Sequence, residues 1–282
     1  MIIVTGANGK LGRGVVEQLL RRVPAERVGV SVREPERAAE LAARGVRVRR
    51  GDYGDPASLV EAFAGAERVL LISTDVVGPE RVRLHRNAVD AAKQAGVPHI
   101  LYTSIVAPDP ASPFAPTADH AATEEYIRAS GLRWTFLRNT IYMEIVPAFV
   151  GGALAGGPLE GPADGPLAYA ARADLAEGIG NLLAEGGHLD EALELTGGEA
   201  LDLDALAAIV GRLTGRQVER RVLSDDAYRD GLLARGFPPE GAATFLSIFA
   251  ASREGRFAAV SPTLGQLLGR APMTVEAFLR EQ

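Results

Sequence analysis

Short apolar runs alternate with helix-length amphipathic stretches through the first half of the chain. The runs are Ile2 to Thr5, Val28 to Val32, Val46 to Val48, Val69 to Ile72, Ile100 to Thr103 and Thr135 to Leu137. Between them lie Leu11 to Arg22, Pro35 to Arg44, Pro56 to Phe63, Pro79 to Ala95 and Thr117 to Ala129. In the first of these, Leu11, Val15, Val16, Leu19 and Leu20 share one helical stripe, and Arg13, Glu17 and Arg21 fall off it. The alternation predicts an α/β fold: βαβ units around a doubly wound parallel sheet, buried on both faces.

Beyond Arg138 the regularity loosens. Residues 139–170 carry many glycines and prolines, as in GGALAGGPLEGPADGP, and read as loop of the kind that covers ligands on α/β sheets. Leu193 to Thr196 reads as a returning strand, and the pattern from Leu203 onward is mostly helical. The predicted organisation is a nucleotide-binding domain over 1–138, with a strand and helix returning near 168–197. Residues 139–167 and 198–282 form a smaller, mostly helical lobe over the carboxyl ends of the strands.

Composition narrows the function. The chain of 282 residues has a net charge of −6, which argues against a nucleic-acid or anionic-membrane partner. It contains no cysteine, so thiolate metal sites, disulfides and cysteine nucleophiles are excluded. The strand at Ile2 starts at once, without the pattern of a signal peptide. The apolar segment Ile141 to Ala155 is broken by Glu144 and Pro147 and is too short to span a bilayer. The expectation is a cytoplasmic protein, monomer or homodimer, acting on a small molecule.

The first strand runs into GANGKLG, a GxxGxxG turn ahead of an amphipathic helix. Gly6 lets the chain leave the strand sharply, Gly9 lets backbone approach a pyrophosphate, and Gly12 permits close helix packing. The helix N-terminus adds free N–H groups and a positive dipole end. A dinucleotide of the Rossmann type is implied. An NAD-selective site carries an acid about twenty residues on. Here Arg33 ends the second strand, and a guanidinium suits a 2′-phosphate, so NADPH is the expected cofactor. Glu34 follows directly and keeps NAD in play. Asp52 and Tyr53 after the third strand, and Ser73, Thr74 and Asp75 after the fourth, fall at the ligand-binding edge. An ordinary loop role competes with ligand contact at each.

Common reductase chemistry is missing. None of the six tyrosines has a lysine four residues on, and Lys10 and Lys93 are the only lysines. His85 and His99 stand alone without metal-ligand spacing, and there is no G-x-S-x-G serine, so no metal site is expected. In DHAATEEY, His120 and Glu124 fall on one face of a helix. His120 is a candidate proton donor or substrate-orienting group, set against a helix-surface or capping role. Ser104, following the fifth strand in YTSI, is a candidate contact to nicotinamide or substrate set against a structural role.

The segments GANGKLG, VRxPxRA, GDYGDPASL, LLIS, HRNAVDAAKQAGV, YTS, DHxxTE and LRNxxYME together resemble the NmrA-like, atypical short-chain dehydrogenase/reductase family. Within it they are nearest to bacterial NADPH:quinone oxidoreductases of type 2, with triphenylmethane reductases next. The resemblance covers nearly the whole chain. It implies a Rossmann domain with a small helical lobe, and NADPH-dependent reduction of quinones or dyes without flavin or metal. By position, Gly6, Ala7, Asn8, Gly9, Lys10 and Leu11 would hold the pyrophosphate, with Gly12 behind them. Arg33 would take the 2′-phosphate, and Ser73 to Asp75 would line the ribose. Leu137, Arg138, Asn139, Thr140, Ile141 and Tyr142 would flank the nicotinamide and substrate. Tyr142 is a candidate wall or hydrogen-bond donor for a flat ring, set against hinge packing. The chain departs from the family pattern at Ile141, where an aromatic is expected, and at Met143 and Ile145 around Glu144. A quinone needs no strong acid, because hydride can pass directly to the ring. The competing reading is an NADP(H)-binding redox sensor without catalysis.

Overall fold

A computed structural model describes residues 1–282. The strands are β1 (Ile2–Thr5), β2 (Val28–Val32), β3 (Arg47–Arg50), β4 (Arg68–Leu71), β5 (His99–Ile105), β6 (Arg133–Asn139), β7 (Leu159–Pro162), β8 (Glu191–Leu195) and β9 (Arg220–Leu223). The helices of the first half are α1 (Lys10–Leu19), α2 (Ala39–Ala43), α3 (Pro56–Phe63), α4 (Pro79–Gln94) and α5 (Pro116–Ala129). Those of the second half are α6 (Val146–Leu154), α7 (Arg172–Glu185), α8 (Leu203–Thr214), α9 (Asp225–Ala234), α10 (Pro239–Arg253), α11 (Thr263–Leu268) and α12 (Val275–Arg280).

Seven strands form one sheet in the order β3-β2-β1-β4-β5-β6-β8, every pair parallel. Side chains alternate across it with period two. Ile2 and Val4 pack into the cluster under α1 and α7, whereas Ile3 packs into the cluster under α3 and α4. Leu70 and Leu101 join the first cluster, Val69, Leu71, Ile100 and Tyr102 the second. Both faces are thus covered, which is why these strands read as continuous apolar runs. The order reverses between β1 and β4. There the connections leave to opposite sides and a crevice opens at the carboxyl edge.

A third cluster forms the smaller, mostly helical lobe. It corrects the expectation of loop over 139–170. The stretch VPAFVGGAL is helix α6, with Val146, Phe149, Val150 and Ala153 on its buried face. Each helical glycine costs about 1 kcal/mol in propensity, and burial of that stripe outweighs Gly151 and Gly152. Glycine- and proline-bearing β7 pairs in parallel with β9, about sixty residues away, so its strand character is tertiary in origin. No helix is long and apolar enough to cross a membrane.

Candidate functional site

The site starts where β1 ends. Gly6 adopts φ +62°, and its N–H donates to Ser31 O on β2 at 3.2 Å. The N–H of Gly9 donates back to Gly6 O at 2.9 Å, closing the turn. A β-carbon on Gly12 would lie 2.5 Å from Gly6 O and 2.8 Å from its carbonyl carbon, so α1 rests directly on the turn's backbone. The first intrahelical bond runs from Arg13 N–H to Gly9 O, and no side chain caps α1. The amides of Lys10, Leu11 and Gly12 are therefore left for a ligand at the positive dipole end. Asn8 Nδ2 donates to Glu34 O at 3.1 Å, while its Oδ1 is buried without a partner. An anionic, pyrophosphate-bearing dinucleotide fits this cradle, with donors and an orphaned polar atom around a space that only glycines leave open.

Two chambers join along Gly6, Gly9 and the 72–75 segment. The first, of about 410 Å³, extends past the end of β2. Arg33 lines it, exposed and free of any ion pair within the chain. Arg37 lines it too, with only a 3.4 Å approach to Glu34. Asp52 and Tyr53 form another wall. The Tyr53 hydroxyl is consumed by Thr5 Oγ1 (2.6 Å) and Ile72 O (2.7 Å), clipping β1 to β4; only its ring is free to meet a ligand.

The second chamber, of about 520 Å³, lies over β5 and β6 and reaches Thr244 of the lobe. Ser73, Thr74 and Asp75 stand at the junction, and Asn139, Thr140, Ile141 and Tyr142 line the far side. Both polar side-chain atoms of Asn139 and the Thr140 hydroxyl are buried without partners. The Arg172 guanidinium lies 5.1 Å from the Tyr142 ring centroid, and its backbone N–H donates to Glu144 Oε1 at 3.0 Å. Burial raises the Tyr142 pKa.

His120 also lines this chamber, and it is not isolated. Its Nδ1 lies 2.7 Å from the hydroxyl of buried Tyr102. The same hydroxyl is 3.3 Å from Nδ1 of His85, whose Nε2 accepts the Thr74 N–H at 3.2 Å. Burial, and secondly the Arg81 charge, push His85 down to about 3 and hold His120 well below the usual histidine range. Both rings are neutral at physiological pH. Burial likewise raises the Tyr102 pKa.

Three of the sequence-predicted positions do not reach the cleft. Ala7 is buried behind the turn and Leu137 lies in the sheet core. Arg138 is bound to Glu124 through two contacts of 2.8 and 2.9 Å and to Glu194 at 3.0 Å. Leu137 and Arg138 are on β6, where alternation turns their side chains to opposite faces of the sheet, and Ala7 sits in the turn after β1 with its methyl packed inward. His85, read from sequence as standing alone, belongs to a row with Tyr102 and His120. Glu124 shares a helix with His120 but serves Arg138, Arg128 and the Ser104 hydroxyl, which donates to it at 2.7 Å while Ser104 itself lines the second chamber. Sequence reasoning passed over Arg37, Arg81 and Arg172 as cleft residues. The VRxPxRA segment held a signal for Arg37; Arg81 and Arg172 had none.

The profile of the NmrA-like family matches residues 1–279. The chain belongs to the NmrA-like family. Among curated NmrA-like relatives, Quinone oxidoreductase 2 of Escherichia coli (strain K12) is 41% identical over 278 residues, covering 98% of this chain and 96% of that one. The crystal structure of the Escherichia coli NADPH-dependent quinone oxidoreductase QOR2 complexed with NADPH superimposes with a TM-score of 0.94 at 38% identity, covering 100% of this chain and 99% of that one. The Citrobacter sp. triphenylmethane reductase complexed with NADP(H) gives 0.92 at 32% identity, over 100% and 99%. The Rossmann-type sheet and the helical lobe are thus common to this NmrA-like protein and to solved reductases of similar length.

Proposed function

We propose that this protein is an NADPH-dependent reductase of quinones or similarly conjugated acceptors, working without flavin or metal. The observation that carries the reading is the joined pair of chambers: a glycine-lined anion cradle with an unpaired arginine at one end, and a partly apolar chamber that shares the cradle's glycines and extends over β5 and β6 at the other. The similarity to NADPH-complexed reductases supports it.

In this reading Gly6, Asn8, Gly9 and the first-turn amides of α1 hold the pyrophosphate. Arg33, with Arg37 beside it, holds the 2′-phosphate. Ser73 to Asp75 line the ribose, and the orphaned groups of Asn139 and Thr140 meet the nicotinamide end. When bound, NADPH supplies the hydride. The chain's own task is to align two flat systems and exclude water, so proximity carries most of the acceleration. Tyr142, backed by Arg172, walls the acceptor chamber. Residues 1–138 with 168–197 serve the cofactor, and 139–167 with 198–282 close over the acceptor. A chamber left over beyond the cofactor is what an enzyme needs and a pure sensor does not.

The test is anaerobic stopped-flow loss of NADPH absorbance with a benzoquinone. Saturable turnover well above the free-solution rate is expected; a rate equal to that in buffer sinks the reading.

A further inference from the structure

The row Thr74–His85–Tyr102–His120 has a direction. A backbone amide only donates, so Nε2 of His85 is an acceptor. That ring is fully buried and neutral, so its proton sits on Nδ1. The Thr123 hydroxyl donates to Asp119 O at 2.8 Å, which leaves its oxygen to receive Nδ1–H of His85 at 3.0 Å. Tyr102 therefore has no acceptor in His85. Its proton goes to Nδ1 of His120 at 2.7 Å. His120, itself neutral and 8% exposed, must then carry its proton on Nε2, on the ring of a residue that lines the acceptor chamber. Arg81, whose buried Nη1 has no hydrogen-bond partner and lies 3.5 Å from Asp119 Oδ2, stands beside the row and disfavours a second proton on either ring.

We propose that His120 presents Nε2–H as a fixed, neutral hydrogen-bond donor to the acceptor's carbonyl oxygen, with Tyr102 and His85 as positioning residues that set its tautomer from the Thr74 amide. This rests on the reductase reading above. Hydride addition to a quinone places a negative charge on oxygen, and the hydrogen bond strengthens as that charge develops. His120 gives up no proton; the hydroquinone monoanion takes its proton from water. A triarylmethane cation, by contrast, becomes neutral on accepting hydride and leaves no oxyanion to stabilise. The donor thus makes the site selective for oxygen-terminated acceptors.

The tautomers are read directly by long-range 15N–1H NMR of 15N-histidine-labelled protein, the four histidines being assigned by single substitutions. The expected result is a protonated Nε2 in His120 and a protonated Nδ1 in His85. Tyr102→Phe should convert His120 to a tautomer mixture. Kinetically, His120→Leu should lower quinone kcat by about 100-fold, and His120→Gln, which keeps an N–H near the same point, should recover most of it. Tyr102→Phe should lower quinone kcat while leaving NADPH affinity and triarylmethane reduction unchanged. A protonated Nδ1 or an imidazolium in His120 at pH 7 overturns the proposal, as does equal loss with quinone and dye. Absence of quinone turnover in the parent protein overturns the reductase reading and the substrate contact together, and the NMR result then judges the row separately.

Discussion

A β-carbon on Gly12 would stand 2.5 Å from the carbonyl oxygen of Gly6. The turn and the helix are in backbone contact, and the cradle for the pyrophosphate exists because nothing separates them. Gly12→Ala must therefore push α1 off the turn. Overpacking of this kind costs about 1–3 kcal/mol. The expected outcome is a small drop in the urea midpoint together with at least about a tenfold loss in NADPH affinity, followed by nicotinamide fluorescence. Unchanged affinity would mean that the cradle does not bind the cofactor.

Arg33 is exposed at the end of β2 and pairs with no acid, so its charge is open to a phosphate. Arg33→Ala should reduce kcat/KM with NADPH by about 10- to 100-fold, as for loss of one charge-assisted bond. NADH should change little, and Arg37 should retain part of the preference for NADPH. Steady-state kinetics with both cofactors decide it; an equal fall for both would remove Arg33 from 2′-phosphate recognition.

Glu124 is a buried carboxylate gripped by Arg138 and Arg128. Removing its charge leaves Arg138 with Glu194 alone. Breaking a buried pair costs about 3–5 kcal/mol, and the low end applies because Arg138 keeps one partner and some solvent. Glu124→Gln should lose about 3 kcal/mol in urea denaturation without a change in quinone KM. A substrate-specific defect in a fully stable variant would place Glu124 in the site instead.

Three histidines bind their protons more weakly folded than unfolded. Burial, with nearby arginines, holds His85 down to about 3 and His99 to about 4, and His120 also lies well below the usual range. The unfolded chain, with histidines near 6.5, therefore takes up more protons as pH falls. The stabilising contribution is complete above about pH 6.5 and declines as pH drops toward the folded values. At pH 5, relative to high pH, His85 and His99 each cost about 2 kcal/mol, and His120 adds in the same direction. Stability by urea titration should fall steeply from about pH 6.5 to about pH 5. Flattening the slope with His85→Gln would confirm the assignment to that ring, and an unchanged slope would refute it.

Much of the fold was legible because its information is local. The continuous apolar runs of β1, β4 and β5 and the stripe of α1 are properties of neighbouring residues. The glycine spacing encodes the turn in the same way. Helix α6 was hidden by glycines that a buried stripe overrides, and β7 by a partner about sixty residues away. Within the cleft, Arg33, Asn8 and Ser73 were found because they follow strands at the carboxyl edge. Arg138 was misplaced because which side of a strand end faces the cleft depends on what packs beneath it.

What the sequence determined by itself was the βαβ order, the GANGKLG cradle, the basic end of β2, and the absence of a tyrosine–lysine pair. These follow from residue type and near-neighbour spacing. Only the tertiary structure joined His85 on α4, Tyr102 on β5 and His120 on α5 into one row, and committed Glu124 to Arg138. Those choices depend on which helix faces cover which sheet face. Burial then decides both the protonation and the direction of each hydrogen bond, and burial is a property of the packed whole.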